Sequence, residues 1–293
     1  MKILYVNFLS GFCNNIFQYV YALLLHEKVK DNYKLIFSNK CFFMSGSKHN
    51  KPKNECNIET SPIYEFIKHH EFKYIDNYYG KFKGEEMTEL SKTANVNPDI
   101  NNLNIDYDKD IVLSGYFQNI KFYKNNINKI KLHLNNLLNT KIEYNFNEED
   151  VVLHIRSDDF KHRQYDVNYY VNFLHLYKNI YIVTDNPNDN FAQYILKTYK
   201  NSKLITNTYS SYGSMKYQTK KDFNNNEIVR DFLVIYNAKN IIMSVSTFSW
   251  MASWLSNANK VYFPYNDRLF TNLLVDNEKY VYVDRNLEIK RYK

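Results

Sequence analysis

The second half of the chain alternates short apolar runs with segments whose apolar residues recur at helical spacing. Four runs read as strands: residues 151–155, 180–184, 241–245 and 260–264. Three segments between them have helical periodicity: residues 168–178, 227–239 and 246–256. Strands that are apolar throughout are typical of a parallel sheet buried on both faces. This order predicts a doubly wound parallel sheet with residues 260–264 as its final strand.

The first half carries the same alternation less regularly. Residues 3–8 predict a strand, residues 11–15 a turn and residues 16–29 a helix. Further along, residues 110–119 predict a strand that runs into Gly115, and residues 125–138 predict a helix. The polar, weakly patterned stretch between residues 41 and 106 reads as insertions on an N-terminal α/β domain.

Two domains fit this pattern better than one. The chain has 293 residues, 44% of them hydrophobic, which is enough for two modest α/β cores. We see no internal repeat and no low-complexity linker. The expected division lies near residue 147, giving domains 1–147 and 148–293.

The charge balance narrows the choice of partners without fixing it. The formal net charge is +7, from 38 basic and 31 acidic residues, and no basic run is long. Nucleic acid is one explanation for such an excess. Anionic small ligands and an anionic membrane face explain it equally well. Because no basic run is long, we expect no nucleic-acid partner. We expect at most peripheral contact with an anionic membrane.

Cysteine usage and the N-terminus indicate the compartment. Three widely spaced cysteines argue against a disulfide framework and against a zinc site. The first ten residues form an apolar run too short and too interrupted for a signal peptide or a membrane span. We expect a cytoplasmic protein, at most peripheral at the inner face of the membrane, with no metal site.

Polar side chains stand where three predicted strands of the second half end. They are His154 with Arg156, Thr184 with Asp185, and Ser244 with Ser246 and Thr247. Ligands of open α/β sheets bind outside the carboxyl ends of the strands. These groups form one site only if the three strands are neighbours in the sheet.

Each of these groups has two readings. Arg156 offers a planar fork for phosphate oxygens, or it forms a structural ion pair with Asp158 or Asp159. The hydroxyls around Ser246 either help a helix N-terminus to bind an anion or simply cap that helix. Asp185 either accepts from a base or ribose, or it is a turn aspartate two residues before a proline.

Other signals favour structural roles. The acidic pair at residues 108 and 110 has the spacing of a metal-binding motif but stands before a strand, so we interpret it as a turn. Trp250 and Trp254, four apart on a predicted helix, read as core. His162 reads as a solvated loop histidine rather than as a base. Phosphate-loop, dinucleotide-binding and zinc-protease motifs are absent from the sequence.

Four blocks, in order, resemble the bacterial α-1,2-fucosyltransferases of glycosyltransferase family 11. "GFCNNIFQYVYAL" is similar to that family's Gly-Leu-Gly-Asn-Gln followed by Phe-Gln-Tyr, and "LSGYFQNIKFY" to its Gly-Tyr-(Phe/Trp)-Gln segment. "HIRSDDF" resembles its His-Ile-Arg-Arg-Gly-Asp-Tyr, which α-1,6- and protein O-fucosyltransferases share more loosely. "NIIMSVSTFSWMASWL" resembles its Ile-Ile-Ala-Asn-Ser-Thr-Phe-Ser-Trp-Trp-Ala-Ala-Trp-Leu. The blocks extend over most of the chain, from residue 11 to residue 255.

The resemblance implies a GT-B-like α/β fold, with two Rossmann-like domains facing a cleft, and inverting transfer from GDP-β-L-fucose without an obligatory metal. Domain 1–147 would take the acceptor and domain 148–293 the donor. Arg156 would hold the diphosphate, His154 would line the donor site, Asn14 would lie at the cleft, and Asp185 would meet the guanosine. Three hydroxyl residues would flank the phosphates: Ser246, Thr247 and Ser249.

The acceptor implied is an oligosaccharide or a lipid-linked glycan in surface polysaccharide or lipopolysaccharide synthesis. No cofactor is implied beyond the GDP-sugar donor. The motifs do not name the general base, for which Asp159 and His162 are the candidates.

The sequence departs from the family pattern at the first and third blocks. Ser157 replaces the second arginine and Asp158 the glycine of the third block, and Cys13 and Asn15 replace Gly and Gln in the first. The exchange removes one positive charge and adds a negative one beside the predicted phosphate site. The same scaffold with another nucleotide sugar, and a non-catalytic glycan- or nucleotide-binding relative, therefore stay open as alternatives.

Overall fold

The computed structural model describes residues 1–9, 11–43, 54–74, 87–92, 105–157, 165–206, 225–265 and 271–290. The chain divides into two compact units, Met1–Asn136 and Leu137–Lys293. Each contains a mostly parallel sheet with helices, so the expected α/β class is confirmed. The unit boundary falls before residue 147, within a short helix over residues 135–138.

Unit 1 (Met1–Asn136) is built on a six-stranded sheet. Its strands run in the order β3-β2-β1-β6-β5, with β4 also paired to β2, and all pairs except β2–β3 are parallel. The elements are β1 (Lys2–Leu9), α1 (Phe12–Val29), β2 (Tyr33–Phe43), β3 (Asn54–Asn57), α2 (Tyr64–Ile67), β4 (Phe72–Lys73), β5 (Met87–Lys92), β6 (Asp110–Gly115), α3 (Ile127–His133) and α4 (Asn135–Leu138), which crosses the boundary.

The first strand and helix form much as the apolar pattern predicts, but the helix begins earlier. Residues 11–15 were expected to turn; instead α1 begins at Phe12, directly after an extended Gly11. Asn15 N–H donates to the Gly11 carbonyl oxygen and closes the first helical turn. Asparagine is a weak helix former in isolation, and its burial in a hydrogen-bonded network overrides that preference here.

Two further expectations for the first half are wrong. The stretch read as insertions includes β5, which pairs in parallel with β6 along its whole length although its sequence is polar. The single helix expected over residues 125–138 is interrupted at Leu134, which leaves helical geometry and separates α3 from α4. Pairing with β6 makes β5 a strand despite its polar sequence. Several asparagines lower the helix propensity of residues 125–138 and favour the interruption.

Unit 2 (Leu137–Lys293) is a doubly wound domain on a seven-stranded sheet. Its strands run in the order β13-β12-β11-β10-β7-β8-β9, parallel except for the terminal β12–β13 pair. The elements are β7 (Asp150–Ile155), α5 (Val167–Leu174), β8 (Asn179–Thr184), α6 (Asn190–Thr198), β9 (Ser202–Leu204), α7 (Asn225–Asn237), β10 (Asn240–Ile242), α8 (Thr247–Leu255), β11 (Lys260–Pro264), β12 (Tyr280–Val283) and β13 (Ile289–Lys290).

The central strand β7 is buried along its entire length. Val151, Leu153 and Ile155 face a core built with α5 and α6. The alternate face carries His154, whose ring stacks on Phe248 of α8. Helices therefore cover both faces, which explains why the strand reads as a continuous apolar run.

The chain adds β8 and β9 on one side of β7 and then returns to add β10, β11 and β12 on the other. The order of strands thus reverses between β7 and β10. A crevice forms at the carboxyl ends of the strands at such a reversal, and ligands of doubly wound folds bind there.

Several details of unit 2 differ from the sequence expectation. Residues 260–264 form β11 as predicted, but β12 and β13 follow, so β11 is not the final strand. The short α6 and β9 were not predicted, and α5 ends at Leu174 rather than near residue 178. Trp250 and Trp254 are buried and stacked on each other, which confirms them as core. None of the helices in the described ranges is long and apolar enough to span a bilayer.

Candidate functional site

The carboxyl ends of β8, β7 and β10 lie side by side, because β7 is hydrogen-bonded to both of the other strands. The three groups of polar residues that follow these strands are therefore brought to one edge of the sheet. The contacts between them define a candidate site within unit 2.

His154 joins the end of β7 to the start of α8. Its Nδ1 lies 2.6 Å from Ser244 Oγ, and its ring centroid lies 5.4 Å from that of Phe248. Burial and, to a smaller extent, the positive charge of Arg156 together lower the pKa of His154 to about 3. The imidazole is therefore neutral near pH 7 and offers hydrogen bonds rather than charge.

Arg156 and Ser157, directly after β7, are both bound by Asp185, directly after β8. Arg156 Nε lies 3.3 Å from Asp185 Oδ2. Ser157 donates twice to Asp185 Oδ1, from its backbone N–H at 2.9 Å and from its hydroxyl at 3.1 Å. The sequence offered Asp158 or Asp159 as ion-pair partners of Arg156; both lie outside the described residues, and the partner observed is Asp185.

The hydroxyls of Ser246 and Ser249 at the start of α8 form hydrogen bonds with the backbone. Ser246 is the N-cap, and its Oγ accepts from Phe248 N–H at 3.2 Å. Ser249 is fully buried and donates to the carbonyl oxygens of Ser244 and Ser246. Thr247 is half-buried at the first helical position. Contact of these three residues with a phosphate stays a prediction, whereas the helix N-terminus they shape is a general anion-binding feature.

A buried charged cluster that the sequence reading missed stands beside this edge. The backbone N–H of Thr184 donates to Thr206 Oγ1, and Thr206 Oγ1 donates to Asp231 Oδ2 at 2.8 Å. Arg230 donates to Asp231 Oδ1 at 3.1 Å and to Glu227 Oε1 at 2.8 Å. The cluster links the ends of β8 and β9 to α7 through side chains.

Burial dominates the electrostatics of this cluster. It raises the pKa of Asp231 to about 7, while the bonds from Thr206 and Arg230 oppose that rise. A sequence signal existed: charged residues at positions 227, 230 and 231 are spaced along one side of an otherwise apolar helix. Such charges are buried only when paired.

In unit 1, the amides of the first motif connect the ends of β1 and β6. Gln18 accepts from Leu9 N–H at 2.9 Å and donates to the Gly115 carbonyl oxygen at 2.9 Å. Asn14, half-buried in the first turn of α1, accepts from Gln118 Nε2 at 2.7 Å. The structure thus joins the first and second sequence blocks at the carboxyl edge of the first sheet, including two glutamines that were not singled out as site residues.

Phe117 fixes the position of the second block by an unusual backbone conformation. Its φ is 51°, in the left-handed region that bulky residues avoid, at a cost of about 1–3 kcal/mol. The Phe117 ring stacks on the Tyr21 ring, with 4.2 Å between the ring centroids, and the Tyr123 hydroxyl donates to the Phe117 carbonyl oxygen. These two contacts stabilise the Phe117 conformation. Gln118, the next residue, donates to Asn14 Oδ1.

The remaining predicted site residues, Asp159 and His162, lie outside the described residues. Across the described part of the chain there is no group of three or more His, Cys, Asp or Glu that could hold a metal ion. The two acids at residues 108 and 110 lie in different elements. Asp108 lies in a turn, and Asp110, the first residue of β6, accepts a hydrogen bond from Ile3 N–H. The turn interpretation is confirmed for Asp108, whereas Asp110 already belongs to β6.

Comparison with known families found no family model that matches the chain. A search of curated proteins also found no match. Solved structures give a different result. The fucosyltransferase NodZ from Bradyrhizobium matches over 89% of this chain and 94% of its own, with 8% identity and a TM-score of 0.48.

Two other solved structures are similar over comparable lengths. POFUT1 in complex with GDP covers 88% of this chain and 94% of its own, with 10% identity and a TM-score of 0.45. The E. coli heptosyltransferase WaaC with ADP covers 91% and 88%, with 11% identity and a TM-score of 0.41. These values are too low to transfer a substrate or a site residue from those proteins to this chain.

Proposed function

We propose that the protein is a GT-B-type glycosyltransferase that transfers L-fucose from GDP-β-L-fucose to a glycan hydroxyl. One observation carries the proposal. Arg156 stands at the carboxyl end of β7, where the strand order reverses, and is ion-paired to the buried Asp185. His154 ties this point to the N-terminus of α8, a feature that binds anions in other proteins.

This arrangement suits departure of a nucleoside diphosphate. The acceptor oxygen forms a bond to the anomeric carbon as the bond from that carbon to the β-phosphate oxygen breaks, and the electron pair leaves with GDP. Negative charge grows on the diphosphate, where the guanidinium of Arg156 and the N–H groups at the start of α8 stabilise it. The acceptor proton passes to a general base, for which Asp159 and His162 remain the proposals.

The donor assignment rests on the resemblance of the four blocks to the family 11 fucosyltransferases. Direct displacement would invert the anomeric centre, and the same resemblance suggests an α-1,2 linkage. Ser157 departs from the family pattern at the phosphate site, and this favours one second candidate. The same scaffold could use a different nucleotide sugar.

The acceptor is proposed to be an oligosaccharide or lipid-linked glycan of a surface polysaccharide or lipopolysaccharide, bound on the side of unit 1. The linked amides of Asn14 and Gln118 support a polar binding surface there. Contact with an anionic membrane is also proposed. It is supported by a segment from residue 111 to residue 142 that contains five lysines and no acidic residue.

The test begins with a panel of GDP-, UDP-, ADP- and CDP-sugars in a thermal unfolding assay. A ligand at about a hundredfold excess over its Kd stabilises the folded state by about 2.7 kcal/mol. We expect GDP-fucose to stabilise the protein most and fucose transfer to survive EDTA. Stabilisation by a different sugar nucleotide alone would overturn the donor assignment. Loss of transfer in EDTA with recovery in manganese would overturn the metal-free mechanism.

A further inference from the structure

We propose that Asp185 and Ser157 act as positioning residues that hold the Arg156 guanidinium for the donor diphosphate, and that Asp185 does not read the nucleobase. This inference rests on the proposed function, because it concerns how the same site holds its donor. It assigns to Ser157, which replaces an arginine of the family motif, a role that the sequence comparison did not suggest.

The burial of the two ion-paired side chains separates their roles. The Arg156 side chain is 19% exposed, so a ligand can reach it, whereas that of Asp185 is only 4% exposed. Asp185 Oδ1 already accepts two hydrogen bonds from Ser157, and Asp185 Oδ2 is ion-paired with Arg156 Nε at 3.3 Å. A carboxylate that is buried and occupied in this way stabilises its protein donors rather than a passing ligand.

The contact is made to the Nε of Arg156. The Nε–H lies on the stem side of the planar guanidinium, so a bond there fixes the plane and direction of the fork. A guanidinium held in one orientation loses less conformational freedom when a diphosphate binds than one that moves. Asp185 thus acts on the ligand through Arg156.

Ser157 secures the other oxygen of the same carboxylate. Its N–H and hydroxyl both donate to Asp185 Oδ1, which leaves Oδ2 to face Arg156 Nε. A second arginine at this position would bring another positive charge to the site. The serine instead uses the position to orient the single guanidinium, which compensates for part of the lost charge.

Hydrogen bonds also fix the backbone that carries Asp185. The preceding residue, Thr184, is the last residue of β8, and its N–H donates to Thr206 Oγ1, which in turn donates to the buried Asp231. The backbone that carries Asp185 is therefore bound both to the neighbouring strand and to α7. A positioning residue requires such rigid support.

The decisive measurement compares GDP and UDP binding by calorimetry in wild type and Asp185→Asn. Loss of a charge-assisted hydrogen bond corresponds to about a tenfold to hundredfold loss of affinity. If Asp185 positions Arg156, both nucleotides lose affinity by the same factor, because they share the diphosphate. A loss confined to GDP would show that Asp185 reads guanine and would overturn the proposal.

Asp150 provides a matched control. It is a buried carboxylate on the same strand as His154, at the opposite edge of the sheet, and it accepts from Asn147 N–H and from Asn179 Nδ2. Asp150→Asn should lower stability and leave both nucleotide affinities unchanged. An equal affinity loss in Asp150→Asn and Asp185→Asn would reduce the Asp185 effect to general destabilisation and overturn the proposal.

Ser157 is tested separately, so the result does not depend on whether Asp185→Asn folds. Ser157→Ala keeps the backbone donor and should weaken both nucleotides about fivefold to tenfold. Ser157→Thr keeps the hydroxyl and should restore near-normal affinity. Equal affinities in Ser157→Ala and wild type would remove Ser157 from the positioning group.

A ligand-free readout distinguishes failure of this proposal from failure of the proposed function. The Nε–H of Arg156, assigned by its absence in Arg156→Lys, is followed by nitrogen–proton correlation spectroscopy. We expect slow exchange with water in wild type and at least tenfold faster exchange in Ser157→Ala. If wild type binds neither nucleotide, the proposed function fails, and this exchange rate still decides whether Arg156 is held. Fast exchange in wild type would overturn the positioning role.

Discussion

His154 and Asp231 are both buried near the carboxyl edge of the second sheet, and burial favours the uncharged form of each. It lowers the pKa of His154 to about 3 and raises the pKa of Asp231 to about 7. Because one group is a base and the other an acid, the two shifts affect stability with opposite dependence on pH.

We predict that these two contributions oppose each other between about pH 4 and 6.5. Below its usual pKa of 6.5, His154 takes up a proton in the unfolded chain but not in the folded one, so its contribution falls as pH falls toward about 3. Asp231 keeps its proton in the folded state up to about pH 7 but loses it near 3.8 when unfolded, so its contribution falls as pH rises.

Urea unfolding across this range measures the effect. His154→Gln should become less stable relative to wild type as pH rises, and Asp231→Asn should become more stable relative to wild type. Each slope should approach about 1.4 kcal/mol per pH unit. His175→Gln, at an exposed position, is the control for loss of an imidazole. Parallel profiles for all four proteins would contradict the burial argument.

A second prediction at the residue scale concerns Arg156. Arg156→Lys keeps a positive charge but loses the planar fork and the Nε donor that faces Asp185. GDP affinity should fall about a hundredfold, measured by calorimetry, with the unfolding temperature nearly unchanged. Arg285→Lys alters an exposed arginine of the same unit and should bind GDP normally. Near-normal affinity in Arg156→Lys would remove Arg156 from the diphosphate site.

At the scale of the element, the start of α8 combines a structural task with the proposed ligand contact. Ser246 caps the helix, and Ser249 satisfies two carbonyl oxygens that precede it. Of the two roles that the sequence suggested for Ser246, the structure shows helix capping. Capping and anion binding both use this end of the helix. Side chains that cap equally well but differ in charge can separate the two tasks.

We predict that Ser246→Asn and Ser246→Asp separate the two tasks. Both side chains cap helices well, whereas Ser246→Ala should lose about 1 kcal/mol of stability. The aspartate adds a negative charge near the proposed diphosphate, so GDP should bind roughly tenfold more weakly to Ser246→Asp than to Ser246→Asn. Chemical denaturation and calorimetry measure the two effects. Equal GDP affinity in these two variants would place the diphosphate away from α8.

On the scale of the whole molecule, the excess of positive charge is unevenly distributed. The acid-free segment from residue 111 to residue 142 includes exposed lysines at positions 121 and 124. Leu132 of α3, in the same segment, is 72% exposed. Lysines with an exposed apolar side chain favour the surface of an anionic bilayer.

We predict salt-sensitive binding to vesicles that contain phosphatidylglycerol. Replacing Lys121 and Lys124 by glutamate should weaken binding at least tenfold, since each basic residue near the surface contributes about 1 kcal/mol. Replacing Lys197 and Lys200, exposed in unit 2, makes the same change of charge elsewhere. Cosedimentation at low and high salt measures both. An equal loss in the two double variants would show that only net charge matters.

The apolar pattern by itself determined that β7, β8 and α8 lie in the core and where β7 and β8 end. Buried parallel strands such as β7 read as apolar runs because both faces are covered, and a polar residue directly after such a run must lie at the carboxyl edge. This local rule located His154, Arg156 and Asp185. Burial of Trp250 and Trp254 followed from helical spacing in the same way.

Only the tertiary structure decided which edges and side chains meet. The polar β5 is a strand because β6 offers it hydrogen bonds, and its own composition carries no such signal. Arg156 pairs with Asp185, which is distant from it in sequence, because β7 and β8 are neighbours. The charged side of α7 was visible in the sequence, but the raised pKa of Asp231 depends on its burial in the fold. The partner of a strand and the environment of a buried charge depend on residues far apart in the chain, so a local pattern does not specify them.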